Sequence, residues 1–207
     1  VTGAHLKKNF GNSIDEIKND NIRIDYIINL NINSKQKNIT LLIKSFSLII
    51  KKNKFDAICL LGDRYETFAI AVSSFINNVP IIHIHGGEKT IGSIDDTYRH
   101  LISKMSSLHF VANKIYANRL KRLGEDPKKI FVVGGLGVDL IKSISLLNKV
   151  NLLKKFNLKN KDIILCTVHP ETKSDKYNSL LIINILKALQ NFKNFNIVFT
   201  SSNDDPG

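Results

Sequence analysis

Short apolar runs alternate with helix-patterned segments along most of this chain, and this alternation constrains the fold more than any other feature. The clearest apolar runs occupy 55–61, 80–85, 108–111 and 130–133. The segments with apolar residues at helical spacing occupy 38–52, 65–76, 96–107, 115–123 and 138–147. Strands that alternate with helices across short connections run parallel, and the helices cover both faces of the sheet. The sequence therefore predicts an α/β fold with a parallel sheet and flanking helices.

A second α/β unit is predicted after a break in this pattern. Residues 147–161 are rich in Lys and Asn, and a new strand at 162–167, a helix at 177–190 and a strand at 197–200 follow. We therefore expect one domain at 1–150 and the start of another at 151–207, which has too few elements to close a core alone. Because Val1 is not an initiator residue and the sequence stops in a loop-like segment, we expect a piece of a longer protein, without its first strand and with little activity by itself.

Composition excludes several classes of protein. The 30 Lys and Arg exceed the 18 Asp and Glu, giving a formal charge of +12. The lysines are scattered pairs rather than an Arg-rich face with aromatics, so we expect no nucleic-acid partner. No run approaches the roughly 18 apolar residues of a membrane span, so no membrane partner is expected. Cys59 and Cys166 lie in apolar runs and are predicted to be buried thiols of a reducing, cytoplasmic compartment.

Polar residues gather at the predicted carboxyl ends of the strands, where parallel sheets bind their ligands. The residues placed there are Asp63, Arg64, His85, Gly86, Gly87, Glu88, Asp95, Asp96, Arg99, His100, Gly134, Gly135 and His169. Carboxylates and imidazoles are suited to proton transfer, and paired glycines allow backbone N–H groups to approach a phosphate. The pattern favours proton abstraction or delivery coupled to departure of a phosphate-bearing group.

Structural explanations exist for several of these residues. Asp63, and Asp95 or Asp96, could cap the helices that follow them. The glycine pair could only relieve a tight turn. His83 and His109 lie inside strands and are predicted to be hydrogen-bonded core residues. No metal-ligand spacing, serine-nucleophile elbow, phosphate-binding P-loop or dinucleotide fingerprint is present, so we expect no metal and no cofactor.

Several ordered strings closely resemble the hydrolysing UDP-N-acetylglucosamine 2-epimerases of sialic- and legionaminic-acid-type sugar biosynthesis. They are GDRYE at 62–66, HIHGGE at 83–88, GSIDD with RH at 92–100, FVVGG at 131–135, VHPET at 168–172 and SNDD at 202–205. The resemblance implies two Rossmann-like domains in the glycosyltransferase-B arrangement, with a UDP-sugar substrate bound between them. It also implies loss of UDP across C1–C2 without a cofactor, followed by addition of water with inversion at C2, which gives N-acetylmannosamine.

The resemblance also implies roles for single residues. Asp63 and Asp95 match catalytic carboxylates, although Asp96 is an alternative to Asp95. His169 matches a histidine that stabilises or protonates the departing phosphate. Some relatives carry Glu where this chain has His85, so either His85 or Glu88 could transfer the proton.

Arg64 and Arg99 are expected to support the carboxylates or the diphosphate. His100 and the glycines at 86–87 and 134–135 are assigned to substrate binding. Relatives of this kind commonly form dimers or tetramers, so a homo-oligomer is expected.

Three other functions stay open at this point. The first is the same reaction on another UDP- or GDP-linked acetamido sugar, such as one on the route to legionaminic acid. The second is a non-hydrolysing epimerase, which the glycine pair with Glu88 and the Asp-Asp-x-x-Arg-His string disfavour. The third is a non-catalytic module that binds sugar nucleotides or polyanions, which the net charge favours.

Overall fold

The computed structural model describes residues 1–7, 13–30, 34–169 and 175–200, and it divides the chain into two compact units, Val1–Asp139 and Leu140–Gly207. The first unit contains a four-stranded parallel sheet in the order β1-β2-β3-β4. These strands are β1 Ile58–Leu61, β2 Ile81–Ile84, β3 Leu108–Val111 and β4 Ile130–Val132. The second unit pairs β5 Asp162–Cys166 with β6 Phe195–Phe199, also in parallel.

Helices connect the strands. They are α1 Ile14–Asn19, α2 Lys35–Lys52, α3 Tyr65–Ile76, α4 Asp95–Met105, α5 Lys114–Arg122, α6 Leu136–Ser143, α7 Lys149–Lys155 and α8 Asp175–Leu189. Side-chain caps fix some of their starts: the Asn113 side chain accepts hydrogen bonds from the first backbone N–H groups of α5, and Ser34 does the same for α2. Of the described helices, none is long and apolar enough to cross a membrane.

One face of the first sheet forms the core. Leu60 and Ile81 pack there with Ala71 of α3 and Ile102 of α4. The expectation that helices cover both faces is wrong in part, since Leu61 on β1 and Phe131 on β4 are exposed on the face opposite Leu60 and Ile81. The physical reason is that α2 packs chiefly against α3 and not on this second face.

The sequence prediction of a parallel α/β fold is confirmed, and most strands and helices end within three residues of their predicted limits. Two short helices were not predicted: α1, and α7 in the Lys- and Asn-rich segment. The division of the chain after Asp139 lies before the predicted boundary at 150. The assignment of two nucleotide-binding-type domains stays a prediction.

The expectation of two buried thiols is wrong. Cys59 is exposed and Cys166 is half-buried. Cys59 lies on the edge strand β1, where it borders a cavity of about 590 Å³ together with Val1 and Thr2. An apolar run predicts a strand, but it does not show whether a second layer of chain covers each residue of that strand.

Candidate functional site

The candidate site lies where β1 and β2 end, at the carboxyl edge of the first sheet. Gly62 continues β1, and its backbone N–H donates a hydrogen bond of 3.1 Å to the carbonyl oxygen of Ile84 at the end of β2. His85 continues β2, and its N–H donates to the carbonyl oxygen of Phe110. The parallel register therefore places the Asp63 loop beside the His85–Glu88 turn, as the sequence predicts.

Arg99 holds the carboxylates of this site. Its guanidinium donates from Nη2 to Asp63 Oδ2 and from Nη1 to the Thr90 hydroxyl, and Nη1 lies 3.5 Å from Asp96 Oδ1. The Arg99 side chain is only 8% exposed, so this charge is neutralised mainly by the two carboxylates. Asp63 does not cap α3, whose start at Arg64 has no side-chain cap. Its carboxylate is instead held by an arginine from a neighbouring helix.

Asp96 has a second structural contact. Its Oδ1 accepts a hydrogen bond of 2.7 Å from the backbone N–H of Thr90, and its Oδ2 lies 3.6 Å from His100 Nε2. Asp95 begins α4, and its backbone N–H donates to the Ser93 hydroxyl. Asp96 thus fixes the loop that precedes α4, and both carboxylates lie in the first turn of that helix.

His85 and Glu88 form a hydrogen-bonded pair of 2.8 Å between Nδ1 and Oε1. A carboxylate oxygen only accepts, so Nδ1 carries a proton, and Nε2 is the ring nitrogen left to exchange one. The backbone of His85 has a φ of +64°, a left-handed conformation that is uncommon outside glycine. The turn therefore holds this imidazole, half-buried, in a fixed direction with one nitrogen able to exchange a proton.

Both glycines of the turn have a packing reason. A Cβ on Gly86 would lie 2.9 Å from His83 Nδ1 and 2.8 Å from Ser103 Oγ. A Cβ on Gly87, whose φ is +74°, would lie 2.6 Å from the backbone oxygen of Tyr116. The predicted role of these glycines in substrate binding stays a prediction.

Replacing Gly87 by Ala is expected to lower the free energy of unfolding by about 2–3 kcal/mol, through backbone strain and overlap with Tyr116. Urea unfolding monitored by circular dichroism measures this. Gly137→Ala is the matched control, because nothing lies within 4 Å of its Cβ and it lies in α6. Equal stability of the two variants would contradict this packing.

His83 lies beneath the site and is fully buried, as the sequence predicts for a core histidine. Its Nε2–H donates 2.9 Å to the Gly62 carbonyl oxygen, and its Nδ1 accepts 3.0 Å from the Ser103 hydroxyl. Burial lowers the pKa of His83 from 6.5 to about 4, although the hydrogen bond to the Gly62 carbonyl acts in the opposite direction. His83 is therefore neutral at physiological pH.

This depressed pKa predicts a loss of stability in acid. Between about pH 6.5 and pH 4 the unfolded chain binds a proton at His83 that the folded chain does not, so stability falls as the pH falls. This loss of folding free energy reaches about 3 kcal/mol at pH 4, and it is absent above pH 6.5. Urea unfolding at pH 7 and pH 4.5 should show a smaller pH effect in His83→Gln than in the wild type. His5→Gln, at an exposed histidine, should keep the wild-type difference, and an unchanged difference in His83→Gln would contradict the prediction.

The remaining candidates are more dispersed. Arg64 lies 3.3 Å from Glu66, beside Asp63 in sequence. Gly134 and Gly135 follow β4, with Gly134 at a φ of +87°. His169 is exposed and follows β5 in the second unit, so the structure leaves its predicted meeting with Asp63 untested. The rest of its motif, at 170–172, and the string at 202–205 lie outside the described residues.

Sequence reasoning missed three contacts that shape the site. Ser103 binds His83, Thr90 binds Arg99, and Arg119 donates from its guanidinium to the carbonyl oxygen of Gly87. Arg119 belongs to the last turn of α5, and a basic residue at that position is normally expected to extend into solvent and interact with the helix dipole. No spacing in the sequence signals these partners, because each comes from a different element of the fold.

Comparison with known proteins finds a matching family model and several similar curated proteins. The family model described as UDP-N-acetylglucosamine 2-epimerase matches residues 1–207. The chain is 38% identical to the polysialic acid biosynthesis protein P7 of Escherichia coli, over 100% of this chain and 54% of that protein. It is 39% identical to the hydrolysing GDP/UDP-N,N'-diacetylbacillosamine 2-epimerase of Campylobacter jejuni, over 99% of this chain and 55% of that protein. The chain thus spans about half the length of the curated relatives it matches.

Solved structures share the fold. A crystal structure of UDP-GlcNAc 2-epimerase from Neisseria meningitidis bound to UDP-GlcNAc aligns with a TM-score of 0.79 at 24% identity. The alignment covers 94% of this chain and 56% of that one. The Rossmann-like parallel sheet with flanking helices is therefore the fold that such enzymes use.

Proposed function

Because the chain belongs to the UDP-N-acetylglucosamine 2-epimerase family, we propose that it is part of a hydrolysing epimerase that converts UDP-N-acetylglucosamine and water into UDP and N-acetylmannosamine. The observation that carries the proposal is the pairing of Asp63–Arg99 and His85–Glu88 at the same edge of one sheet. The Asp63 carboxylate and the His85 imidazole, both able to transfer protons, follow neighbouring strands and are each oriented by a partner side chain.

The first half of the reaction is an elimination. A base removes the proton on C2 of the sugar, the C1–O bond breaks, a C1=C2 double bond forms, and UDP leaves with the electron pair. Nε2 of His85, on the ring that Glu88 orients, is proposed to take this proton. His169 is proposed to meet the departing phosphate, a role that comes from its motif.

The second half is an addition. The oxygen of water bonds to C1 as this water gives up a proton, and a proton is delivered to C2 on the face opposite the one from which the first proton left, which inverts that carbon. Two proton-transfer groups on different sides of the sugar are therefore needed, and Asp63 is the proposed partner of the His85–Glu88 pair. Arg99 orients the Asp63 carboxylate, and Asp96 completes the charge balance around Arg99. Asp95 stays an alternative to Asp96 in contact with the sugar.

An assay of the full-length protein encoded by the gene tests the proposal. The protein is incubated with UDP-N-acetylglucosamine, and the release of UDP and N-acetylmannosamine is followed by anion-exchange chromatography. Equal amounts of both products are expected. Tight binding of the nucleotide sugar without release of UDP would favour the binding-module alternative instead.

A second substrate is favoured by one observation, the 39% identity to a relative named for N,N'-diacetylbacillosamine. UDP- and GDP-linked forms of this sugar therefore form the second arm of the assay. The arm with the higher kcat/KM identifies the substrate. A homo-oligomer and a cytoplasmic location remain proposals that rest on the family resemblance.

A further inference from the structure

We infer that His83 is a positioning residue that fixes the backbone of Gly62, and through it the Asp63 carboxylate, against the glycine turn of the neighbouring strand. His83 does not contact the substrate in this account. The inference rests on the proposed function of Asp63. It gives His83 a role in the site, whereas the sequence motifs alone suggest only helix caps and proton-transfer groups among other residues.

Three contacts carry the inference. The Nε2–H of His83 donates to the Gly62 carbonyl oxygen, while the N–H of the same glycine donates to Ile84. Both polar groups of Gly62 are therefore held, in a backbone with a φ of +80° that few other residues adopt. Because the Gly62 carbonyl shares a planar peptide unit with the Asp63 nitrogen, fixing that oxygen fixes the direction in which the chain enters Asp63.

The other side of the imidazole supports the second loop. Nδ1 accepts from Ser103 on α4, the helix that also carries Arg99, the ion-pair partner of Asp63. Gly86 packs directly on this His83–Ser103 pair, with no room for a Cβ. One buried ring thus contacts the Asp63 loop, the glycine turn and the helix of Arg99.

The ring can hold the Gly62 carbonyl and the Ser103 hydroxyl in fixed positions because it keeps one tautomer. A carbonyl oxygen requires the proton on Nε2, and burial keeps the ring neutral at physiological pH. The titratable or charged groups that face it are His85, His109 on β3 and Arg99 on α4, and a positive charge on any of them disfavours a second proton on His83, whereas the Gly62 carbonyl favours one.

Two substitutions separate positioning from packing. In His83→Gln the amide nitrogen reaches the place of Nε2 and can still donate to Gly62. In His83→Asn the shorter amide reaches only the place of Nδ1, so the Gly62 carbonyl loses its donor. In the full-length protein we expect kcat to fall about 100-fold in His83→Asn with little change in KM, since a small misplacement of a reacting group has an effect of this order. His83→Gln should restore most of the rate and keep the wild-type pH profile.

His109→Asn is the matched control. His109 is a buried histidine in register with His83 on the next strand, but it donates to Glu125 and does not contact Gly62. This variant should lose stability and keep its kcat. Wild-type kcat in folded His83→Asn, or equal loss of kcat in His83→Gln and His83→Asn, would overturn the inference.

A measurement without substrate separates this inference from the proposed function. Nitrogen-15 NMR of the histidine rings in the wild-type protein should show a slowly exchanging Nε2–H proton on His83 from pH 5 to pH 8. In His83→Gln the amide resonance of Asp63 should stay near its wild-type position. If the protein turns over no nucleotide sugar, the proposed function fails, while the expected NMR result would still support the role of His83 in fixing the Gly62 backbone. A His83 ring that titrates in this range, or that carries its proton on Nδ1, overturns the inference whatever the activity.

Discussion

Replacing Asp63 by Asn is expected to lower kcat by about 10³-fold or more, because the amide has no basic oxygen with which to exchange a proton with the sugar. The amide can still accept a hydrogen bond from Arg99, so the loop geometry and the fold should survive. Initial rates of UDP release in the full-length protein, with circular dichroism as a check on folding, measure the effect.

Asp56→Asn is the matched control for this substitution. Asp56 lies in an exposed bend before β1, and its replacement by Asn removes one negative charge from the same unit, as Asp63→Asn does. Its rate should equal that of the wild type. If Asp63→Asn keeps its turnover while folded, Asp63 does not transfer a proton, and the proposed division of labour is wrong.

Replacing Arg99 by Met is expected to lower the free energy of unfolding by about 3–5 kcal/mol, the largest effect on stability that the site offers. The methionine fills part of the space of the arginine stem, but it leaves the carboxylates of Asp63 and Asp96 without their common cation. Urea unfolding of the variant against the wild type measures the loss.

Two comparisons make this result specific. Arg23→Met removes an ion pair with Asp25 whose side chains are 86% and 54% exposed, and it should cost less than about 1 kcal/mol. The double variant Arg99→Met with Asp63→Asn should be less destabilised than the sum of the single variants, because the carboxylate left unpaired by the first change is removed by the second. An additive double variant would mean that the two side chains do not interact as the structure places them.

Apolar periodicity was enough to predict the order of strands and helices in the first unit. The segment at 108–111 matches β3, and the segment at 65–76 matches α3, because both lie in the core and their side chains are selected for burial. The short helix α7 escaped prediction because its Lys- and Asn-rich sequence lacks that periodicity and relies on the side-chain cap of Asn148. The exposure of Cys59 escaped it because an apolar run does not show whether a layer of chain covers each face of the strand.

The sequence predicted which loops carry the chemistry but not how their side chains pair. That Asp63 and His85 would lie at one edge follows from the parallel strands that precede them. Arg99 is expected from the family resemblance to support the carboxylates or the diphosphate, but which carboxylate it pairs with depends on the direction of α4 across the sheet, which no spacing encodes. The same is true of the Ser103 and Gly62 contacts of His83, which bring together three separate elements.

The central claim is that this carboxylate and imidazole cluster breaks the C2–H bond as UDP leaves. Turnover of UDP-N-acetylglucosamine by the full-length protein in D₂O, followed by proton NMR and mass spectrometry, tests it most directly. The account predicts N-acetylmannosamine that carries one deuterium on C2, released together with an equal amount of UDP. Release of N-acetylglucosamine that keeps its original hydrogen on C2 would contradict it, because UDP would then have left by simple hydrolysis.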